Sequence, residues 1–173
     1  STRKESSAAS DVYKRQPNDV MLGGVLASMF VELGSLVWFG HLSDRIGRRA
    51  VYLIGSAGLV LVAFPFFWLV QTKEPVWIFL AFFLGNTVCH AAMIGTQPAY
   101  FAELFPAEVR YTGLALGHEL ASVFAGGLSP LIAMALLRKY ESATPVAWFL
   151  VGMAAITVIT LLLTREPPRE DTE

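Results

Sequence analysis

Glu32, His90, His118 and Glu119 each sit inside a long apolar run. An ionisable side chain there is costly, and it usually faces a protein neighbour or a water-filled cavity. A carboxyl group in a low-dielectric surrounding favours its protonated form, and an imidazole changes charge near neutral pH unaided. Groups of both kinds can take up and release a proton in the working range. Glu32 falls at helical spacing with Ser28 and Ser35, and Asn86, His90, Met93 and Gln97 form a second such face. Ala115, Glu119, Ser122, Gly126, Ser129 and Ala133 make a third, small-and-polar stripe, with His118 beside it. Proton coupling or substrate contact is the chemistry expected of Glu32, Asn86, His90, Gln97, His118 and Glu119. The plainer alternative is a residue hydrogen-bonded to a neighbouring helix. Met93 is expected in packing, as is part of the third stripe, because small residues let helix backbones approach. Gly126, Gly127 and Pro130 mark a weak or bent point.

The elements that must position these residues are membrane spans. The chain has 173 residues, of which 54% are hydrophobic and 16% charged, whereas soluble domains carry about 25% charged residues. Five apolar segments, 20–40, 50–70, 76–98, 112–137 and 146–164, reach the roughly 20 residues that cross about 30 Å of hydrocarbon. Helices joined by short connections satisfy every backbone hydrogen bond inside lipid, so the expected fold is all-α membrane with five transmembrane helices. Five buried helices of a soluble domain would leave hardly any soluble surface. The second and fifth segments carry almost no polar residue and read as helices of the lipid-facing periphery, with a kink at Pro65.

Between the spans lie short polar connections, 41–49, 71–75, 101–111 and 138–145. Arg45, Arg48, Arg49, Arg110, Arg165 and Arg169 fall on one side and Lys73, Arg138 and Lys139 on the other. The positive-inside bias therefore places the first and third connections and the C-terminus, including the tail 169–173, in the cytoplasm. Residues 1–16 would erase that bias through Arg3, Lys4, Lys14 and Arg15. This Ser- and Ala-rich stretch has no apolar core and reads as disordered or foreign to the native protein.

Several function classes lack support. No basic stripe with interleaved aromatics suggests nucleic acid. The single Cys89 allows neither an intrachain disulfide nor a cysteine-rich metal site. The N-terminus has no signal-peptide pattern. No nucleophile–base pair, phosphate loop or metal-ligand spacing is present, so neither an enzyme nor a cofactor is expected.

Two connections carry motifs. Gly40-His41-Leu42-Ser43-Asp44-Arg45-Ile46-Gly47-Arg48-Arg49 combines turn-forming glycines with an aspartate able to accept from arginines or cap a helix. It resembles the G-x-L-x-D-R-x-G-R-R/K signature of the major facilitator superfamily. The stretch Glu103-Leu104-Phe105-Pro106-Ala107-Glu108-Val109-Arg110-Tyr111-Thr112-Gly113 is similar to E-L-F-P-x-x-V-R-Y-[ST]-G of its metabolite:proton symporter branch, which includes carriers for shikimate, oxoglutarate, citrate, and proline or betaine. Phe64-Pro65-Phe66-Phe67-Trp68 and Gly126-Gly127-Leu128-Ser129-Pro130-Leu131-Ile132 resemble that branch too. The resemblance covers about 17–168.

This resemblance implies the eighth to twelfth of twelve spans, a partial C-terminal half of a bacterial inner-membrane carrier whose N-terminal half is missing. It implies a small polar metabolite, an organic acid or zwitterion, moved with protons by alternating access. It also implies a cytoplasmic latch, for which Gly40, Asp44, Arg45, Gly47, Arg48, Arg49, Glu103 and Arg110 are the candidates. The plainer role for these arginines is to hold the connection inside. Where this chain has His118-Glu119, the family usually has Tyr-Gln. Uniport or drug efflux by the same fold is an alternative, and a five-span scaffold subunit without transport is another. An isolated piece, with Glu32 and Glu119 lacking partners, is expected to be marginal.

Overall fold

The structure, a computed structural model, describes residues 18–164. The stretch 1–16 and the tail 169–173 lie outside the described residues. All regular structure among the described residues is helical. It forms five spans: α1 (Asn18–Ile46), α2 (Arg48–Gln71), α3 (Pro75–Glu103), α4 (Arg110–Tyr140) and α5 (Thr144–Leu163). Even the shortest, with 20 residues, rises about 30 Å and is long enough to cross a bilayer. Short connections make successive helices antiparallel. The C-terminal ends of α1, α3 and α5 therefore share a side with the N-terminal ends of α2 and α4.

Four of the helices outrun their apolar segments at both ends, because hydropathy registers only the length immersed in lipid. α1 continues to Ile46 rather than stopping near Gly40, and α3 continues to Glu103 rather than Pro98. α4 begins at Arg110 and ends at Tyr140, outside the expected 112–137. The first connection is consequently not a loop. Gly47 alone separates α1 from α2, with φ of 101°, a conformation that glycine adopts without the Cβ penalty. Its N–H donates to Ser43 O at 3.0 Å, and its carbonyl accepts from Val51 N–H at 3.3 Å, so one residue closes one helix and opens the next.

Two spans contain wide π-type turns, Phe83–His90 in α3 and Val123–Leu128 in α4. The second falls at the expected weak point. Pro130 has no N–H to return to the preceding turn, which loosens the helix there. The first has a consequence for register. Each wide turn holds an extra residue, so the residues beyond it rotate relative to those before it.

α2 is the hub of the packed helices: α1, α3 and α5 all lie against it. An apolar helix surface suits lipid and helix neighbours equally, so lack of polarity does not separate the two. Val51, Tyr52, Gly55, Ser56, Ala63 and Leu69 are buried, while Ile54, Leu61, Phe64 and Trp68 leave an apolar strip exposed. α5 lies on the outside of α2, with Trp148 edge-on to Phe64 at 5.0 Å between ring centroids. Tyr52, Tyr100 and Leu161, joined by Leu53, Met93 and Phe101, form the core near one end of the bundle. α4 stands apart, with no buried residue and contact only to α3 and α5.

α3 approaches two neighbours closely through missing side chains. A Cβ on Gly55 would lie 2.9 Å from Cys89 O and 3.0 Å from Ala92 Cβ, and one on Gly95 would lie 2.9 Å from Leu36 O. Backbone atoms cannot yield as a side-chain tip can. Gly55→Ala and Gly95→Ala are each expected to destabilise the packed helices by about 1–3 kcal/mol. Gly117→Ala, where nothing lies within 4 Å, should not. Thermal unfolding in detergent checks this: the first two variants should melt lower than the third.

Candidate functional site

The polar side chains of α1 and α3 meet along one seam. Asn86 Nδ2 donates to Ser28 Oγ at 3.4 Å, and Thr87 Oγ1 donates to Ser28 O at 3.3 Å. Ser28 Oγ in turn donates to Val25 O at 2.8 Å. One turn further on, His90 Nδ1 lies 2.6 Å from Glu32 Oε1. The Glu32 side chain is 12% exposed and that of His90 55%. Glu32 therefore does have a partner within this chain, contrary to the expectation that it would lack one. Ser35 turns back to Val31 O at 3.2 Å and does not join the seam.

The expected face Asn86, His90, Met93 and Gln97 is split by the wide turn that ends at His90. Asn86 and His90 point to α1, whereas Met93 packs into the core beside Tyr52 and Tyr100, the packing role expected of it. Gln97 is half-buried and makes no hydrogen bond among the described residues. His118 and Glu119 are exposed on α4, which does not touch α1, so they are not brought to the Glu32–His90 pair. Thr87 escaped the sequence reading. It lies one residue off the polar stripe, and a span's hydroxyl usually bonds its own helix.

A second cluster gathers at the helix ends. Arg48 Nη1 is 2.6 Å from Glu103 Oε1 and donates to Ala99 O at 3.3 Å, while Nη2 is 3.6 Å from Asp44 Oδ1. The arginine thus ties together the ends of α1, α2 and α3. Positive charge in the first turn of a helix opposes the helix dipole, and Glu103 offsets it. Asp44 is the looser partner, with a side chain 60% exposed. Arg45 is exposed in the last turn of α1, where its charge suits the dipole. Arg110 Nε donates to Phe105 O at 3.3 Å, a contact within its own connection. Gly40 lies where a Cβ would stand 3.8 Å from Gly95 O, at the α1–α3 crossing.

Arg49 does something that its motif does not reveal. Its Nε donates to Leu161 O at 2.8 Å and its Nη2 to Leu162 O at 3.0 Å. These carbonyls belong to the last turn of α5, where a helix has no partners of its own for them. The residue thus fastens α5 to the start of α2. Glu103 and the two leucine carbonyls lie more than fifty positions from their arginines, and backbone acceptors leave no mark in residue type.

Five apolar spans joined by minimal turns, with an ionisable pair on an interior seam, define a multi-pass helical membrane protein. Residues 10–173 match the model of the Major Facilitator Superfamily, and the chain belongs to that family. The match begins inside the stretch 1–16. The chain is 34% identical over 157 residues to the "Shikimate transporter" of Escherichia coli strain K12, covering 84% of this chain and 36% of that protein. It is 36% identical over 128 residues to the "Inner membrane metabolite transport protein YhjE" of the same strain, covering 73% of this chain and 29% of that one. It is 31% identical over 159 residues to the "Citrate-proton symporter" of Salmonella typhi, covering 82% and 34%. The chain thus spans about a third of the length of these curated relatives. They are transporters, not enzymes. No solved structure gives a significant match.

The two arginines should separate on substitution. Removing Arg49 leaves the end of α5 without its donors, so Arg49→Ala should speed hydrogen–deuterium exchange of the last turn of α5, by about 1–3 kcal/mol of local opening. Arg49→Lys should restore it only partly, because an ammonium cannot reproduce the planar fork. Arg48→Ala should leave α5 exchange unchanged. Peptide-resolved exchange mass spectrometry measures all three.

Proposed function

We propose that the chain is part of a larger major facilitator carrier of the bacterial inner membrane. That carrier moves a small polar metabolite, an organic acid or a zwitterion, in symport with protons. The observation that carries this reading is the Glu32–His90 contact at 2.6 Å, a carboxyl group and an imidazole facing each other between two spans. The printed names of the relatives support it, since one is a shikimate transporter and another a citrate-proton symporter.

In this reading the five helices are the eighth to twelfth of twelve, and an N-terminal half supplies the opposite wall of the path. Carriers of this kind alternate by rocking one half against the other around a central site. The arginine-rich helix ends and the C-terminus face the cytoplasm. There Asp44, Arg45, Arg48, Arg49, Glu103 and Arg110 serve the latch that holds one state, with Gly40 and Gly47 setting the backbone. The Arg48–Glu103 pair suits that task energetically. The side chains are 32% and 40% exposed, and such a pair is worth only about 0–1 kcal/mol, so it can part and reform within a transport cycle. Asn86 and Gln97 belong to the cavity wall, as do His118 and Glu119 once the missing half is in place.

Cells expressing the full-length carrier, weakly buffered and given a panel of organic acids and betaines, should alkalinise the medium on addition of the transported solute. Glu32→Gln should abolish the pH response while leaving downhill solute exchange. Uptake with no pH change would favour uniport, and acidification would favour proton-driven efflux. Absence of any solute movement would favour a scaffold.

A further inference from the structure

The two wide turns differ in what surrounds them. Phe83–His90 lies against α1 and α2, and these neighbours hold it. Val123–Leu128 touches no other helix among the described residues, and each of its residues is exposed. A Cβ on Gly126 or Gly127 would meet nothing within 4 Å. Packing therefore does not keep this turn wide. Local sequence does: the two glycines widen the range of backbone angles, and Pro130 lacks the N–H that a tight helix would bond to Gly126 O. At that place the tight form gains no hydrogen bond over the wide one.

The sequence carries the tight form as well. Ala115, Glu119, Ser122, Gly126, Ser129 and Ala133 follow in steps of four and three residues, which make one straight face only if the whole span is α-helical. The wide turn holds one residue too many for that. The two ends of the face are thus offset by about 100°, one residue of an α-helix. Ser129 and Ala133 are half-buried, whereas Ala115, Glu119 and Ser122 are exposed. The two halves of α4 are also fastened separately. Ser129–Tyr140 lies against α5, while Arg110–Ser122 touches only the second half of α3. The start of α4 is held by its own connection. The ring of Phe105 covers Gly113 so closely that a Cβ there would stand 2.6 Å from it, and Arg110 Nε donates to Phe105 O at 3.3 Å.

We propose that α4 is a register switch: Val123–Leu128 tightens from the wide turn to an α-helix, Arg110–Ser122 rolls by about 100° and shifts by about 1.5 Å along its axis, and the small-and-polar face becomes continuous from Ala115 to Ala133. The proposal rests on the carrier reading above, in which the other half of the carrier packs against α4. A continuous face of small residues lets a helix of that half approach along the whole span, and a split face lets it approach over one end only. The two registers alternate with the two states of the carrier. Phe105 is the detent. Its ring fits the bare backbone of Gly113 in the wide register and leaves it when the arm rolls. The connection 104–109 takes up the roll. Rocking of rigid halves requires no change inside a half, so the switch is a second motion added to it.

The test uses the full-length carrier with one spin label at Leu61 of α2 and a second at Leu116 or Leu131 of α4, all three exposed positions. Pulsed dipolar spectroscopy measures the distances with and without shikimate, citrate or glycine betaine, and uptake of each probe is followed in proteoliposomes. The three positions belong to the same half, so rocking alone changes neither distance. The Leu61–Leu116 pair should show two distances, differing by up to about 8 Å for a side chain carried round by about 100°. A transported probe should shift their populations. The Leu61–Leu131 pair should show one distance throughout. Gly127→Ala meets no neighbour and favours the tight helix, so the tight population should rise about fivefold. Phe105→Ala removes the detent and should raise it too, although it lies far from the turn in the chain. One Leu61–Leu116 distance under all conditions, both pairs shifting together, populations unmoved by both substitutions, or a transported probe that leaves the populations unchanged would each overturn the switch. Two distances that respond to the substitutions, in a carrier that takes up none of the probes, would keep the switch and remove the carrier reading. Uptake with one fixed distance would keep the carrier and remove the switch.

Discussion

α3 can lie against α1 and α2 at once only because side chains are absent at Gly95 and Gly55. A Cβ at either position would meet a carbonyl oxygen at 2.9 Å. This close approach sets the polar contacts that α3 makes with both neighbours. On one side it brings Asn86, Thr87 and His90 to Ser28 and Glu32. On the other it aligns the end of α3 with the start of α2, so that Glu103 and Ala99 O meet Arg48. In lipid, where apolar burial does not drive helices together, van der Waals contact at small residues and interhelical hydrogen bonds take over that role. Here the two occur on the same faces.

The helix ends are organised by arginine rather than by loops. Arg48 gathers α1, α2 and α3 through side-chain and backbone acceptors, and Arg49 fastens α5 through two carbonyls. Consecutive residues at the start of a helix point in different directions, so one dipeptide serves two sides of the hub. The first connection is thus at once a charged motif, a helix junction and a clamp. α4 receives no comparable fastening among the described residues, and none of its side chains is buried.

The five spans were legible because hydrocarbon is a simple solvent that demands length and apolarity and little else. The helix ends were less so, since a helix that emerges from lipid has the composition of a loop. Glu32 and His90 each stood out as ionisable residues in apolar runs, but their pairing did not. It depends on the wide turn at Phe83–His90, which also turns Met93 away toward the core. The packed side of α2 was hidden because lipid and helix neighbours select the same residues, although Gly55, Ser56, Gly58 and Ala63 were the trace of it. Arg49 was visible as a charge, while its partners, being carbonyls, were not.

The single residue between α1 and α2 makes the hairpin a lever with a fixed joint. Gly47 is bonded into both helices, so neither can slide along its axis without drawing the other. From Glu32 to Ile46 the arm is about 20 Å at 1.5 Å per residue, and a tilt of about 5° moves its end by about 2 Å. That stroke is comparable to the 2.6 Å reach of the Arg48–Glu103 contact. A tilt of the hairpin by so little would be enough to part the ion pair at its end.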